Sequence, residues 1–292
     1  MSNSSIDYFA NLDETVRTAI AEDLGSGDIT AQLVPKNQQA KAQVITREDA
    51  IVCGRPWFDE VFRQIDPTVE VSWKKIEGET VKPDDELVHI QGNARSILTA
   101  ERTALNFLQM LMGTATTAHH YVSMLKGSQT RVLDTRKTIP GLRLAQKYAV
   151  KTGGAENHRT GLYDAFLIKE NHIAACGSIK AAVERARRIA PDTFLEVEVE
   201  NLEELKSAIE AGVDRVMLDN FSGDQIEKAI VLKSRGLEYE ISGNITDEKL
   251  KQLVNYPVDF ISSGALTKNI SAVDLSMRIS QSLIPPTTPA SS

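Results

Sequence analysis

Hydrophobic residues recur along the chain with two different spacings. From Ile6 to Leu24 they fall at every third or fourth position, which is the spacing of an amphipathic helix. Short apolar runs at residues 42–46, 69–73 and 86–91 predict β-strands separated by turn residues. A long, mostly apolar helix is predicted over residues 94–112. This first part of the chain is therefore predicted to be an α+β domain.

Beyond residue 131 the pattern becomes a regular alternation of strands and helices. The predicted strands cover residues 132–135, 165–168, 194–199, 215–218, 238–242 and 260–262, and the helices cover 178–190, 201–211, 222–234 and 246–253. Repeated β-then-α units predict a parallel sheet. Because no Rossmann glycine fingerprint accompanies them, we favour a closed or nearly closed barrel, with a doubly wound sheet as the alternative.

One face of the helix predicted over residues 94–112 is polar. Arg102, Asn106, Gln109 and Gly113 follow one another at the spacing that brings residues onto one helix face. A polar stripe of this kind is often no more than a solvated surface. The pattern alone leaves both interpretations open.

Composition narrows the class of protein. The chain has 292 residues and a net charge of −7, which argues against general binding to nucleic acid or to an anionic membrane surface. Cys53 and Cys176 are too few for a disulfide framework and match no zinc-ligand pattern. Residues 1–5 are polar and no apolar run is long enough for a membrane span. We therefore expect a cytoplasmic protein.

Charge is distributed unevenly within the predicted barrel. Between Arg131 and His172 there are eight basic residues against four acidic ones, whereas between Glu196 and Glu227 there are ten carboxylates against two basic residues. This division fits a site at which bases hold a polyanion and carboxylates hold a cation. We therefore predict a basic pocket for a small, multiply anionic substrate, built around Arg136, Lys137, Arg159 and Lys169.

Chemically useful residues follow the predicted strands, at the edge where active sites of parallel α/β folds form. Arginine binds carboxylates or phosphates through a planar fork, and lysine acts as a point charge. The glycine-containing turns at residues 242–244 and 263–265 let backbone N–H groups approach a phosphate. Glu198 and Asp219 are candidates for holding Mg²⁺, directly or through water. Surface ion pairs and ordinary turns are the alternative for each feature taken singly.

Five motifs resemble those of the quinolinate phosphoribosyltransferases, also called nicotinate-nucleotide diphosphorylases (carboxylating). The motifs are EDLGSGDIT at 22–30, ERTALN at 101–106, DTRKT at 134–138, KTGG through His158-Arg159 at 151–159, and LIKENH at 167–172. The resemblance extends from about residue 6 to 280. It implies an α/β fold with an N-terminal α/β sandwich domain (1–112) and an open, incomplete parallel β/α barrel (113–270). A helix at 271–285 would return to the first domain, and residues 286–292 would form a flexible tail.

The resemblance also implies a reaction and its machinery. Phosphoribosyl is transferred from phosphoribosyl pyrophosphate to quinolinate with loss of CO₂, giving nicotinate mononucleotide for NAD biosynthesis. By this resemblance the dicarboxylate would be bound by Arg136, His158 and Arg159, together with Arg102 of a second subunit. Phosphoribosyl pyrophosphate would be bound by Lys137 and Lys169 beside Thr135, with Glu198 and Asp219 positioning Mg²⁺ and the ribose. The 5′-phosphate would be held by Ser242, Gly243, Asn244, Ser263, Gly264 and Ala265. A homodimer with a shared site is therefore expected.

Two other functions remain open at this point. Lys169 would form a Schiff base in a phosphosugar aldolase or isomerase, although the crowd of arginines disfavours it, since such sites usually bind one phosphate. A catalytically silent anion-binding protein on the same scaffold would lack part of the basic and acidic set, which here is complete.

Overall fold

The computed structural model describes residues 6–283, which form two compact units. The sheet unit consists of Tyr8–Thr116, Leu144–Gly153 and Ile270–Ser292, of which residues 284–292 lie outside the description. The barrel unit consists of Met1–Asp7, Thr117–Arg143 and Gly154–Asn269, described from residue 6. The flexible tail expected at 286–292 is outside the described residues.

The sheet unit is built on antiparallel strands. Its elements in chain order are α1 (Leu12–Leu24), β1 (Gln39–Thr46), β2 (Ala50–Ile51), α2 (Arg55–Ile65), β3 (Glu70–Trp73), β4 (Thr80–Val81) and β5 (Glu86–Asn93). The three strands expected from apolar runs are β1, β3 and β5, and β5 pairs with both others. The amphipathic α2, which buries Trp57, Phe58, Val61 and Phe62, was not predicted.

The segment at the carboxyl end of the sheet unit is a strand, so the helix expected at 271–285 is wrong over the described residues. Strand β12 (Leu275–Leu283) pairs antiparallel with β1 at the edge of the four-stranded sheet, in the order β12-β1-β5-β3. Apolar Val273, Leu275, Met277 and Ile279 alternate with polar residues, and this period of two suits a sheet, since a helix needs every third or fourth position.

Helix α3 (Ala94–Met124) is longer than its apolar pattern suggested. It continues past residue 112, so Gly113 lies inside it. A methyl group at Gly113 would come within 2.1 Å of the Ser271 carbonyl oxygen. Gly113 therefore permits the close approach of a neighbouring chain segment and does not end the helix. Helix α1 begins at Leu12, later than the periodicity indicated, and ends before Gly25, whose φ is 50°.

The barrel unit contains a six-stranded parallel sheet in the order β6-β11-β10-β9-β8-β7. The strands are β6 (Arg131–Leu133), β7 (Phe166–Ile168), β8 (Leu195–Val199), β9 (Arg215–Asp219), β10 (Glu238–Ser242) and β11 (Phe260–Ser262). All six coincide with predicted strands. The sheet is open, with β6 and β7 at its edges, and an isolated parallel bridge joins Leu133 to Glu156 beside β6. This confirms an incomplete barrel.

Helices connect the strands, and polar side chains fix where most of them begin. The helices are α4 (Arg143–Thr152), α5 (Glu170–Cys176), α6 (Ile179–Ile189), α7 (Leu202–Ala211), α8 (Gly223–Leu232), α9 (Asp247–Leu253) and α10 (Ala265–Lys268). Ser178, Asn201, Ser222 and Thr246 each accept a backbone N–H bond at the start of α6 to α9. The short α5 and α10 and the ten-residue α4 were not predicted. Among residues 6–283, no helix is long and apolar enough to cross a bilayer.

Candidate active site

A cavity of about 940 Å³ lies in the barrel unit. Fourteen of the fifteen binding residues expected from sequence line it: Thr135, Arg136, Lys137, His158, Arg159, Lys169, Glu198, Asp219, Ser242, Gly243, Asn244, Ser263, Gly264 and Ala265. Twelve of them gather there because they lie at or just after the carboxyl ends of strands of one parallel sheet, which share an edge. His158 and Arg159 instead follow Glu156, which is bridged to Leu133 of β6. Leu167 and Met217 add apolar surface.

Arg102 is the exception. It is exposed on α3 in the sheet unit, where it borders a different cavity of about 270 Å³ together with Asp23 and Asp28. Asp28, in the EDLGSGDIT motif, accepts hydrogen bonds from the backbone N–H groups of Thr30 and Ala31 and from the Thr99 hydroxyl. The motif thus has a local structural role, since it closes the turn after α1.

Arg136 and Arg159 place two like charges at the same cavity wall. The Nε of Arg136 is buried without a hydrogen-bond partner among the described residues. Arg159 donates from Nη1 to the Ala165 carbonyl at 3.1 Å, and desolvation followed by the charge of Arg136 lowers its pKa. Two adjacent guanidinium groups with unused donors are unfavourable in the empty cavity and become favourable when an anion lies between them.

His158 is buried, and the protein uses both of its ring nitrogens. Nδ1 accepts the backbone N–H of Arg159 at 2.7 Å, so Nε2 must carry the ring proton, and it lies 2.8 Å from a carboxylate oxygen of Glu196. The backbone N–H of His158 is bound in turn by Asp134. His158 therefore borders the cavity as a fixed group, whose orientation is set by its bonds to Glu196, Arg159 and Asp134.

A cluster of buried charges lies beneath His158. Glu196 and Glu240 are 1% and 0% exposed, and desolvation raises the pKa of each to about 7. Arg215 on the intervening strand β9 donates to Glu240 at 3.2 Å and to Glu238 at 2.7 Å. With one fully buried cation among these groups, the two buried carboxyl groups are favoured as a pair that retains a proton.

The cluster has the residue types of a metal site but not the protonation of one. Ligand atoms of His158, Glu196 and Glu240 lie within 4.8 Å of one another. However, Nε2 of His158 carries a proton and Arg215 already occupies the cation position. Sequence reasoning missed Glu240 and Arg215. The available signal was a charged residue at the start of β9 and another in the middle of β10, since charged residues in buried strands require partners.

Lys169, Glu198 and Asp219 form a second polar group at the cavity, with two carboxylates and one ammonium. The Lys169 ammonium is ion-paired with the Glu198 carboxylate, and Asp219 accepts a hydrogen bond from the Asn220 side-chain amide at 2.8 Å. Glu198 and Asp219 end neighbouring strands and both face the cavity. Two carboxylates at one cavity are a donor set that suits Mg²⁺, which is typically held by one or two carboxylates together with substrate phosphates.

Two turns supply the features of a phosphate cradle. Gly243 has φ of 98°, and a methyl group there would come within 2.0 Å of the Asn220 side-chain oxygen. Asn244 also has positive φ, at 32°, which asparagine tolerates better than most residues. Lys249 donates to the Gly243 carbonyl at 2.8 Å and fixes this turn. At the second turn, a methyl on Gly264 would come within 2.8 Å of the Lys137 side chain, so Gly264 makes room for that lysine.

Other residues that line the cavity were not among the sequence candidates, including Tyr121, Lys268 and Asn269. Tyr121, at the carboxyl end of α3, donates its hydroxyl to the Ile245 carbonyl at 3.1 Å, and Lys268 and Asn269 follow the second turn. Lys268 could have been identified as a basic residue close to a Ser-Gly turn. Tyr121 carries no signal in the sequence because only the tertiary fold brings it to the cavity.

Comparison with known proteins identifies the family to which the chain is similar. Residues 28–112 match the model of the quinolinate phosphoribosyl transferase N-terminal domain and residues 114–278 that of the C-terminal domain. The probable nicotinate-nucleotide pyrophosphorylase [carboxylating] of Bacillus subtilis is 39% identical over 262 residues, or 89% of this chain and 91% of that protein. The chloroplastic relative from Arabidopsis thaliana is 37% identical over 94% of this chain and 84% of its own length.

Solved structures agree with these matches. The nicotinate-nucleotide pyrophosphorylase from Francisella tularensis superposes with a TM-score of 0.89 at 46% identity, covering 94% of this chain and 98% of that chain. A human nicotinic acid phosphoribosyltransferase, at 14% identity and a TM-score of 0.64, shares the fold alone. Because the two domain models match residues 28–112 and 114–278, and relatives at 37–46% identity cover most of the chain, the chain belongs to the quinolinate phosphoribosyltransferase family.

Proposed function

We propose that the chain transfers phosphoribosyl from phosphoribosyl pyrophosphate to quinolinate and releases pyrophosphate and CO₂, which yields nicotinate mononucleotide for NAD biosynthesis. The observation that carries the proposal is that Arg136 and Arg159 line the same cavity, near enough for the charge of Arg136 to lower the pKa of Arg159. Two adjacent carboxylates on one planar ring supply the charge and the acceptors that this pair lacks. Family membership supports the same activity.

Phosphoribosyl pyrophosphate fits the remainder of the cavity. The turns at 242–244 and 263–265 present backbone N–H groups and small residues to the 5′-phosphate, while Lys137 and Lys169 face the pyrophosphate. Glu198 and Asp219 bind the ribose hydroxyls and would hold Mg²⁺ directly or through water. That ion would neutralise charge developing on the pyrophosphate.

The residues present account for both chemical stages. With quinolinate held by Arg136 and Arg159, its ring nitrogen is aligned with the anomeric carbon, and Lys137 and Lys169 stabilise the departing pyrophosphate. The transfer leaves a cationic pyridine ring, which stabilises the electron pair remaining at C2 when the 2-carboxylate leaves as CO₂. A proton from solvent then forms the C2–H bond of nicotinate mononucleotide. No strong base is required. This is consistent with His158, whose two ring nitrogens are already bonded to the Glu196 carboxylate and to the Arg159 backbone N–H.

The Schiff-base alternative is less well supported. The Lys169 nitrogen is engaged by the Glu198 carboxylate, and an ammonium held in an ion pair is a cation and not an amine nucleophile. A protein that only binds anions would not need the Glu198 and Asp219 carboxylates at its cavity.

We further propose a homodimer in which Arg102 reaches the cavity of the second subunit, and a cytoplasmic location. Support for the first comes from the exposed position of Arg102, outside the cavity lined by the other fourteen residues.

The direct test is to mix the purified full chain with quinolinate, phosphoribosyl pyrophosphate and Mg²⁺ and to measure nicotinate mononucleotide. Nicotinate in place of quinolinate is the control, because it lacks the second carboxylate. Turnover of nicotinate with none of quinolinate would contradict the substrate assignment.

A further inference from the structure

Arg143, the first residue of α4, lies at an electrostatically unfavourable position but makes three specific contacts. A cation in the first turn of a helix opposes the helix dipole. Its guanidinium nevertheless donates from Nε to the Thr138 hydroxyl at 3.1 Å, from Nη1 to the Thr160 carbonyl at 3.1 Å, and from Nη2 to the Arg136 carbonyl at 3.3 Å. The side chain is half-buried and is not among the residues lining the cavity.

These three acceptors belong to two different loops. Arg136 and Thr138 are in the loop after β6, and Thr160 is in the loop before β7. The first loop carries Arg136 and the second carries Arg159, the two guanidinium groups proposed to hold the dicarboxylate. Arg143 thus connects the backbones on which both depend.

Hydrogen bonds that do not involve Arg143 already order parts of these loops. The contribution of Arg143 is therefore to hold one loop in position relative to the other. Asp164 accepts the backbone N–H groups of Thr160 and Gly161 at 2.6 and 3.0 Å, and Arg159 donates to the Ala165 carbonyl. Nearer the sheet, Asp134 binds the His158 N–H and the Asn157 amide. Beyond that anchor, like-charged Arg136 and Arg159 repel each other and favour separation of the loops.

We propose that Arg143 is a positioning residue that sets the distance between the Arg136 and Arg159 guanidinium groups and so adapts the cavity to two adjacent carboxylates. The inference rests on the proposed function, and it assigns Arg143 to quinolinate recognition and not to phosphoribosyl pyrophosphate. The three bonds come from three separate nitrogens of a planar group, and lysine cannot replace them because its three donors are on one nitrogen.

The test compares Arg143→Gln, Arg143→Lys and Thr138→Val with wild type by measuring KM for each substrate, kcat and the thermal midpoint. We expect Arg143→Gln and Arg143→Lys each to raise KM for quinolinate about tenfold or more, with KM for phosphoribosyl pyrophosphate within about threefold of wild type. Thr138→Val removes one of the three bonds and should raise KM for quinolinate about threefold. Arg187→Gln is the matched control, because Arg187 also donates to two backbone carbonyls but does not line the cavity.

Each result has a definite meaning. A general loss of positive charge would affect the more highly charged phosphoribosyl pyrophosphate at least equally and would spare Arg143→Lys, so that pattern overturns the inference. A KM for quinolinate in the Arg143 variants equal to that of wild type also overturns the inference. If the Arg143 variants do not fold, an unchanged KM for quinolinate in Thr138→Val overturns it.

A binding measurement separates this inference from the proposed function. Calorimetry with benzene-1,2-dicarboxylate, which has the adjacent carboxylates but no ring nitrogen, should show binding to wild type about tenfold tighter than to Arg143→Gln. Absence of turnover in wild type refutes the proposed function, whereas equal dicarboxylate affinity in the two proteins refutes the role of Arg143.

Discussion

Individual residues in the cavity are arranged for a ligand at the expense of the empty protein. Arg136 keeps a buried nitrogen without a partner among the described residues, and the neighbouring Arg159 has its pKa lowered by desolvation and by Arg136. Functional sites commonly retain such unfavourable arrangements because binding relieves them. The residue types were identifiable from sequence, but their mutual repulsion depends on tertiary distances.

Replacement of Arg136 by glutamine should separate binding from stability. Loss of charge-assisted hydrogen bonds to a carboxylate is expected to raise KM for quinolinate about 10- to 100-fold. Since a repulsive pair is removed, the thermal midpoint should be unchanged or higher. Arg131→Gln, at an exposed ion pair with Glu156, is the control and should leave KM unaltered. A large loss of stability in Arg136→Gln would show that the guanidinium is structural.

Strand register explains why the buried acids and the cavity residues occur in rows. Glu196 on β8 and Glu238 on β10 both pair in register with Arg215 on β9, and two residues further on Glu198 and Glu240 flank Met217. Alternation then places all of these side chains on one face of the sheet. The alternating glutamates of β8 were visible in the sequence, whereas their partners on β9 and β10 required the strand order.

The pH dependence of stability should reveal the buried pair. Because the pKa of Glu240 is raised from 4.5 to about 7, the native state holds a proton that the unfolded state has released. The associated stability is fully present below about pH 4.5 and is lost as pH rises through about 7. In Glu240→Gln, the decrease in unfolding free energy between pH 5 and 8 should be smaller by on the order of 2 kcal/mol.

Urea unfolding at the two pH values measures this difference. Glu227→Gln, at an exposed position on α8, is the control and should follow wild type. An identical pH profile for Glu240→Gln would mean that Glu240 is ionised throughout.

The turn after β10 offers a test at the level of a single loop. Gly243→Ala introduces a methyl group 2.0 Å from the Asn220 side chain and strains a φ of 98°. We expect KM for phosphoribosyl pyrophosphate to rise about tenfold, because the turn must shift from its phosphate-binding position. Gly236→Ala has a similar φ of 89° with no atom within 4 Å, so it carries the backbone strain alone. Equal KM values in the two variants would argue against a cradle at residues 242–244.

How far the sequence predicts these elements depends on whether local pattern or topology decides them. The six barrel strands were predictable because each is a short apolar or alternating segment between helices, and β11 is buried throughout. The helix expected over residues 271–285 rested on the family resemblance alone, whereas the alternation of apolar and polar residues along β12 is typical of a strand. Helix α5 has no buried residues, so it carries no periodic signal by which it could be recognised.

At the scale of the whole molecule, the proposed shared site has a testable stoichiometry. Arg102→Ala and Lys169→Ala should each abolish most activity, and a mixture refolded or exchanged to equilibrium should recover up to about a quarter of wild-type activity. That fraction follows because half of the dimers are hybrids, each with one intact site of two. Native mass spectrometry establishes that hybrids have formed. Hybrids without activity would contradict a site completed by Arg102 of the second subunit.

The central claim is that this chain couples phosphoribosyl transfer to loss of one particular carboxylate. The most direct measurement supplies quinolinate labelled with ¹³C in either carboxylate, together with phosphoribosyl pyrophosphate and Mg²⁺, and follows label in CO₂ and in the nucleotide. Label from the 2-carboxylate should appear as CO₂ in equal amount with pyrophosphate, and label from the 3-carboxylate should remain in nicotinate mononucleotide. Pyrophosphate release without labelled CO₂, or CO₂ derived from the 3-carboxylate, would contradict the account.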